Sequence, residues 1–354
     1  MNTKRIETIS KISNIIKDYK NLPPTVNSDC IESINNHVER WVSQFEKNDV
    51  DFILDHTYRL LSKNYYSENE YDRLLNNVAR DNRNEELFKR NCFICIQSHG
   101  SSQSYLTNKL SYIICDEIGF DSPIFCYSEN KHDISNFKHF TYLDDFSFSG
   151  KIIEDDIKNF IESMSLNNVE INIFVFICHS QGFYNLKNRL KRFVSEKNLN
   201  ITFCFNERFW GEVNNSTSTQ YSCKSETYFP TRDTCDHILN IKGLTNCGLY
   251  KPNVFRVNSH ENCILGSIDD RRKIEEIFSS FGFDIISNSI DPKKSMKPLG
   301  FSTYNGFGFG GNIFSYRNCP NNTPLVFWWG NYEKTGNNAI DCWYPLMKRK
   351  GYYN

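Results

Sequence analysis

The sequence predicts an α/β fold, a Rossmann-like parallel sheet flanked by helices. After Arg90, five short runs rich in β-branched and aromatic residues, at 93–96, 124–127, 140–143, 171–178 and 201–205, read as strands. Three of them lead into segments of helical spacing, at 105–118, 151–164 and 183–196. Largely apolar strands alternating with helices mark a parallel sheet covered on both faces. Composition agrees: 354 residues, 39% hydrophobic and 15% aromatic, supply a sizeable core at about 150 residues per domain.

The elements follow in chain order. Ile31, Ile34, Val38, Trp41, Val42 and Phe45 recur at three- and four-residue steps, the stripe of an amphipathic helix whose Trp41 and Phe45 are expected to pack inward. Residues 52–61 continue the helical pattern. Ser67-Glu68-Asn69-Glu70 has capping-box form, so another helix starts near Glu68. Residues 1–88 therefore read as an N-terminal helical region and 89–210 as the α/β core. Residues 211–268 read as an irregular insertion, dense in Asn, Ser and Thr at 214–222 and turn-rich at 243–248. Residues 269–354 form a C-terminal region, helical at 269–281 and then aromatic and Gly-rich, with short strands and turns expected between Pro298 and Gly330. No internal repeat is present.

Several function classes drop out. Lys plus Arg number 41 against 42 Asp plus Glu, a net charge of −1, so no whole-chain basic field draws in nucleic acid. Met1 opens a charged helical pattern with no apolar signal region, and the longest mainly apolar run, 171–178, falls far short of the roughly 20 residues that span a bilayer. The expectation is a cytoplasmic protein with no membrane partner. Thirteen cysteines, an odd number in a long chain, do not make a disulfide framework and are read as reduced. Cys223, Cys235, His237, Cys247, His260 and Cys263 gather in the insertion, but no paired CxxC knuckle joins them, and packing cysteines are the expectation.

The sharpest motif is Phe140-Thr-Tyr-Leu-Asp144-Asp145-Phe-Ser147-Phe148-Ser149-Gly150-Lys151, a strand expected to end in two acids, then a Ser/Gly turn into a helix. Paired carboxylates accept hydrogen bonds from vicinal ribose hydroxyls. A turn such as Ser147, Phe148, Ser149, Gly150 and Lys151 presents hydroxyls and amides to a phosphate at a helix N-terminus. A 5-phosphoribosyl group has both halves. Upstream, a strand leads into the small polar loop Ser98, His99, Gly100, Ser101, Ser102 and Gln103, where glycine lets the backbone approach and the hydroxyls can donate to phosphate oxygens.

A rival motif is Cys178-His179-Ser180-Gln181-Gly182, a strand-to-helix turn like the G-x-S-x-G nucleophile elbow with its first Gly replaced. It would make Ser180 the nucleophile of a serine hydrolase, with His237 or His260 and Asp233 or Asp236 to complete a triad. Trp328 and Trp329, following Leu325-Val-Phe, read most simply as a buried strand.

The 144–151 segment resembles the PRPP-binding motif of type I phosphoribosyltransferases, two acids followed after three residues by Ser/Thr-Gly-x-Ser/Thr. The departure is Ile152, where that family carries a second phosphate-binding hydroxyl. His37-Val-Glu-Arg-Trp41-Val-Ser-Gln44-Phe45, Gly100-Ser-Ser-Gln103, Glu207-Arg208-Phe209, Pro298-Leu-Gly-Phe, Asn318-Cys-Pro-Asn321-Asn322-Thr-Pro324 and Trp329 resemble a narrower group. These are the phosphoribosyltransferase-like effectors of prokaryotic conflict systems (PRTase-CE type), some encoded beside retron reverse transcriptases.

The resemblance implies a sheet of type I phosphoribosyltransferase kind with a C-terminal hood. It implies PRPP bound with Mg²⁺, no metal held by the protein alone, and transfer or cleavage at the anomeric carbon. Asp144 and Asp145 would take the ribose hydroxyls, residues 147–151 the 5′-phosphate and residues 98–103 the pyrophosphate. Glu207, Arg208, Asn321, Asn322 and Trp329 are its candidate acceptor contacts. The implied setting is anti-phage defence, with a retron reverse transcriptase, its msDNA and a small DNA-binding protein as partners. A catalytically degenerate nucleotide-binding toxin or switch, motivated by Ile152, is the alternative within the same resemblance.

Overall fold

The computed structural model describes residues 3–97, 101–120, 124–126, 134, 136–215, 226–252, 255–256, 264–289 and 292–349. The chain divides into two compact units. The first joins Met1–Glu68 to Asn214–Asn354, and the second is Asn69–Val213. The segments read separately as N-terminal helices, insertion and hood thus belong mainly to one unit. The second unit begins before the expected residue 89 and takes in the last helices of the expected N-terminal region.

The first unit opens with α1 (Thr3–Ile16), α2 (Ile31–Val42), α3 (Val50–Asn64) and the short β1 (Tyr65–Tyr66). The α2 stripe turns inward as its spacing predicts, with Ile34, Val38, Trp41 and Val42 fully buried.

The second unit follows with α4 (Glu68–Ala79), α5 (Asn82–Lys89), β2 (Asn91–Cys95), α6 (Ser102–Ile118), β3 (Ile124–Cys126) and β4 (His139–Ser147). It continues through α7 (Lys151–Ser163), β5 (Val169–His179), α8 (Ser180–Glu196), β6 (Ile201–Asn206) and β7 (Gly211–Val213). The strands lie in the order β3-β2-β4-β5-β6, all parallel. β6 pairs with β5 from Val169 to Phe174, and β7 takes the same edge from Ile177 to His179. Between them Trp210 stacks on Phe176 at 3.9 Å and its N–H donates to the Phe176 carbonyl. Ile153, Ile157, Phe160 and Ile161 of α7 and Phe183, Leu186, Leu190 and Phe193 of α8 close one sheet face, against Phe140, Tyr142, Ile171 and Ile173.

All five sequence runs are strands, but β4 is longer than its apolar stretch. It does not end at Leu143. Because β5 is long enough to keep pairing, β4 runs on through both acids until Ser147 meets Cys178.

The chain then returns to the first unit with α9 (Arg232–Ile241), α10 (Ile268–Ser287), β8 (Phe314–Ser315), α11 (Leu325–Trp328) and α12 (Asn338–Asp341). Within this unit β1 pairs in parallel with β8, and the Trp41 indole N–H donates to the Val326 carbonyl at 2.8 Å. Trp41 stacks on Phe327, and Phe45 meets Phe281 and Trp343 edge-on. Residues 325–328 form a helical turn rather than the expected strand, started by Pro324 and closed by the Trp329 N–H on the Leu325 carbonyl. Arg256, Arg271 and Glu275, all buried, make an ion network, Arg256 to Glu275 at 2.9 Å and Arg271 to Glu275 at 3.0 Å. No helix of the described residues is long and apolar enough to cross a membrane.

Candidate functional site

β2 hands its chain to β3 on one side while β4 hands its chain to β5 on the other. The chains leaving the carboxyl ends of β2 and β4 therefore part, and such a switch point is where open parallel sheets form a ligand crevice. The motif residues sit at this place.

Asp144 and Asp145 are only 6% and 5% exposed, as members of β4 rather than of a solvated turn. The Asp145 N–H donates to Asp144 Oδ1 at 2.9 Å. Asp144 Oδ2 lies 3.5 Å from the Tyr142 hydroxyl, two residues back along the strand. That hydroxyl donates to Asp156 Oδ2 of α7 at 2.8 Å. Gln97, just past β2, brings its amide nitrogen to Asp156 Oδ2 at 3.0 Å and to the Tyr142 hydroxyl at 3.3 Å. Burial first, then the charge and hydrogen bond of Asp145, then the charge of Asp156, push the Asp144 carboxyl well above the usual range. Burial and the neighbouring acids push Tyr142 up as well, keeping its phenol a donor.

The turn after β4 is held from α8. Gly150 caps α7 in the left-handed region (φ 71°) with no side-chain cap, leaving the first-turn amides after Lys151 for an anion. Arg189 donates to the Ser149 carbonyl at 2.8 Å and, through Nε, to Glu154 at 2.5 Å. Gly182 lies so close beneath the turn that a Cβ there would stand 1.5 Å from the Phe148 carbonyl oxygen. Ser147 is buried and its hydroxyl has no partner. Ser149 Oγ accepts from the Lys151 N–H at 3.3 Å. The Lys151 ammonium runs along α7 to Asp155 at 2.6 Å, and Ile152 stands exposed.

Of the upstream loop, Ser98, His99 and Gly100 lie outside the described residues. Ser101 caps α6, its Oγ accepting from the Ser104 N–H, and Ser102 starts the helix. Gln103 is fully buried. Its Oε1 accepts from the Ile96 and Gln97 N–H groups at 2.7 and 2.9 Å, while its Nε2 has no partner.

The other candidates are engaged elsewhere. Glu207 pairs with Lys187 and Arg208 with Asp81, in the excursion between β6 and β7. Asn321, Asn322 and Trp329 belong to the first unit. There the Asn321 carbonyl accepts from the Phe301 N–H, Asn322 Nδ2 donates to the Phe301 carbonyl at 2.9 Å, and the Trp329 indole donates to the Ala339 carbonyl at 2.9 Å. Ser180 donates to Glu212 at 2.7 Å and contacts the Val213 carbonyl at 3.2 Å. No imidazole of the described residues bonds it. The neighbouring His179 instead accepts from the Gly182 N–H, and burial lowers it to about 4. Among the described residues no His, Cys, Asp or Glu group is arranged to hold a metal. Cys223, His260 and Cys263 lie outside them.

Four residues at the site had no role in the phosphoribosyl reading of the sequence. Tyr142 was legible in principle, since strand alternation puts it on the face of Asp144. Asp156, Gln97 and the close approach at Gly182 depend on contacts between elements that no local spacing encodes.

Comparison with curated proteins finds no match. Among solved structures, a purine phosphoribosyltransferase from Pyrococcus horikoshii Ot3 is similar at 13% identity, over 43% of this chain and 92% of that chain, with a TM-score of 0.25. The family model described as PRTase-CE matches residues 38–349, which takes in the motifs that carried the resemblance, all but their first residue His37, and most of the chain. On that match, the chain belongs to the PRTase-CE family.

Proposed function

We propose that the chain binds a 5-phosphoribosyl ligand, most simply PRPP carrying Mg²⁺ on its own diphosphate, and transfers or cleaves at the anomeric carbon. The observation that carries this reading is the buried acid pair at the switch point beside a glycine-capped helix N-terminus. Asp144 and Asp145 accept from the ribose hydroxyls, and the first amides of α7 take the 5′-phosphate. Two buried polar atoms without partners, Ser147 Oγ and Gln103 Nε2, are donors of the kind that phosphate oxygens satisfy. The metal, when bound, neutralises the departing diphosphate. The chain's residues align the sugar, so no covalent nucleophile is required.

Lys151, held by Asp155, contributes to the phosphate field from the flank. The exposed Ile152 and this engaged lysine favour, as a second reading, a ligand-gated effector that binds without transfer. We place either form in prokaryotic defence, held in check by retron-type partners and acting in the cytoplasm.

Calorimetry with PRPP and Mg²⁺ tests the ligand. Binding that disappears in Asp144→Asn with Asp145→Asn supports it, and binding that survives the double substitution overturns it. Pyrophosphate release with a nucleobase or nucleotide acceptor separates transferase from binder. Growth arrest on expression without partners, relieved by the same double substitution, tests the effector role.

A further inference from the structure

The phenol of Tyr142 has one proton and stands between two carboxylates, at 2.8 Å from Asp156 and 3.5 Å from Asp144. The ring is fully buried, so bulk water does not compete for that proton. Asp156 has a second donor in the Gln97 amide at 3.0 Å and stays bonded when the phenol leaves. Asp144 takes the Asp145 backbone N–H on Oδ1, and its hydrogen bond with the Asp145 carboxyl needs a proton that an ionised pair lacks, so the ionised Asp144 has no second donor but the phenol. The groups facing it are Asp145 and Tyr142 from β4 and Asp156 from α7, with Gln97, after β2, reaching Tyr142 and Asp156.

We propose that Tyr142 is a two-position donor, resting on Asp156 while Asp144 is protonated and turning to Asp144 when that carboxyl ionises, the state in which it accepts from a ligand's vicinal diol. The phenol is a positioning residue. It supplies the ionised Asp144 with a charge-assisted hydrogen bond at the moment the carboxylate is needed, and it leaves Asp156 dependent on Gln97 alone. Gln97 follows β2 directly and bonds both Asp156 and Tyr142, so occupancy of the ribose pocket is transmitted to the end of the neighbouring strand. The identity of the diol rests on the phosphoribosyl reading. The hydrogen-bond switch does not.

The test follows the carboxyl carbon of Asp144 by ¹³C NMR through pH, assigned with Asp144→Asn, in the wild-type chain, Tyr142→Phe, Asp156→Asn and the double variant. Mg²⁺-PRPP affinity is measured over the same range. Tyr142→Phe is expected to raise the Asp144 midpoint and weaken binding about tenfold below it, the loss of one hydrogen bond to a charged group. Asp156→Asn is expected to lower the midpoint, by less when residue 142 is already Phe. Gln97→Ala, at a less buried position, is expected to raise it, because the phenol is then kept by Asp156. An unmoved midpoint in Tyr142→Phe, or an equal effect of Asp156→Asn in both backgrounds, overturns the switch. Absence of Mg²⁺-PRPP binding by the wild-type chain at every pH overturns the phosphoribosyl reading instead, and the carboxyl titration still decides the donor.

Discussion

Gly182→Ala adds one carbon at the point where α8 starts beneath the turn after β4. That carbon would lie 1.5 Å from the Phe148 carbonyl oxygen and 2.7 Å from its carbon, where real Cβ contacts essentially never fall under 3.0 Å. The turn and the helix must therefore separate by roughly a further 1.5 Å. The helix is not free to retreat. Arg189 ties it to Ser149, Leu186 packs below Gly150, and the β4–β5 ladder is closed up to Ser147 and Cys178. The displacement falls on residues 147–150, at a cost near the top of the overpacking range, about 3 kcal/mol. Misplacement of this size in a positioning loop costs binding or turnover about a hundredfold. Chemical denaturation and calorimetry with Mg²⁺-PRPP read both effects, with Gln181→Ala as the neighbouring control. A Gly182→Ala protein with an unchanged unfolding midpoint and unchanged affinity would show that the turn does not depend on this contact.

Asp144→Asn keeps an acceptor for the Asp145 N–H while removing a buried charge that burial and two neighbouring acids oppose. It should stabilise the protein by about 1–2 kcal/mol at neutral pH while binding is lost. Because the folded carboxyl titrates above its unfolded value, the wild-type chain loses stability as pH rises toward the folded value, so the mutant's advantage grows with pH; thermal melts at pH 4 and 7 check this. Histidines have the opposite effect. Burial lowers His37 to about 4 and His56 to about 3, so stability held above pH 6.5 is lost on acidification, at up to about 1.4 kcal/mol per pH unit for each group. His56→Gln should flatten that acid limb in denaturation curves. Trp41→Ala, which empties a fully buried site and leaves the Val326 carbonyl with one indole donor instead of two, should cost about 3–5 kcal/mol in urea titrations.

The strands were legible because each is a short apolar run bounded by turns, and the parallel arrangement because helical spacing follows three of them. The length of β4 was not. A strand continues as long as its neighbour offers a ladder, and that neighbour, β5, begins more than twenty residues later in the chain. The acid pair and the turn to Lys151 stood out as chemistry, yet their burial and the Tyr142–Asp156–Gln97 cluster arise from packing between elements. The aromatic stripe of α2 announced an inward face without naming what it faces. Its partners, Val326, Phe327 and Trp343, lie almost three hundred residues away, beyond the reach of any periodicity.

The division of the chain also sets an order of events during synthesis. Asn69–Val213 is contiguous and can complete its sheet as soon as it leaves the ribosome, whereas the unit of α1 to α3 is finished only when residues past 214 have been made. Tyr65 finds its strand partner only when Phe314 arrives. Until then α2 has α1 and α3 to pack on, but its Trp41 lacks the Val326 carbonyl and the Phe327 ring that complete its burial. The parallel sheet is thus built first, and the unit that flanks it in sequence on both sides is sealed last.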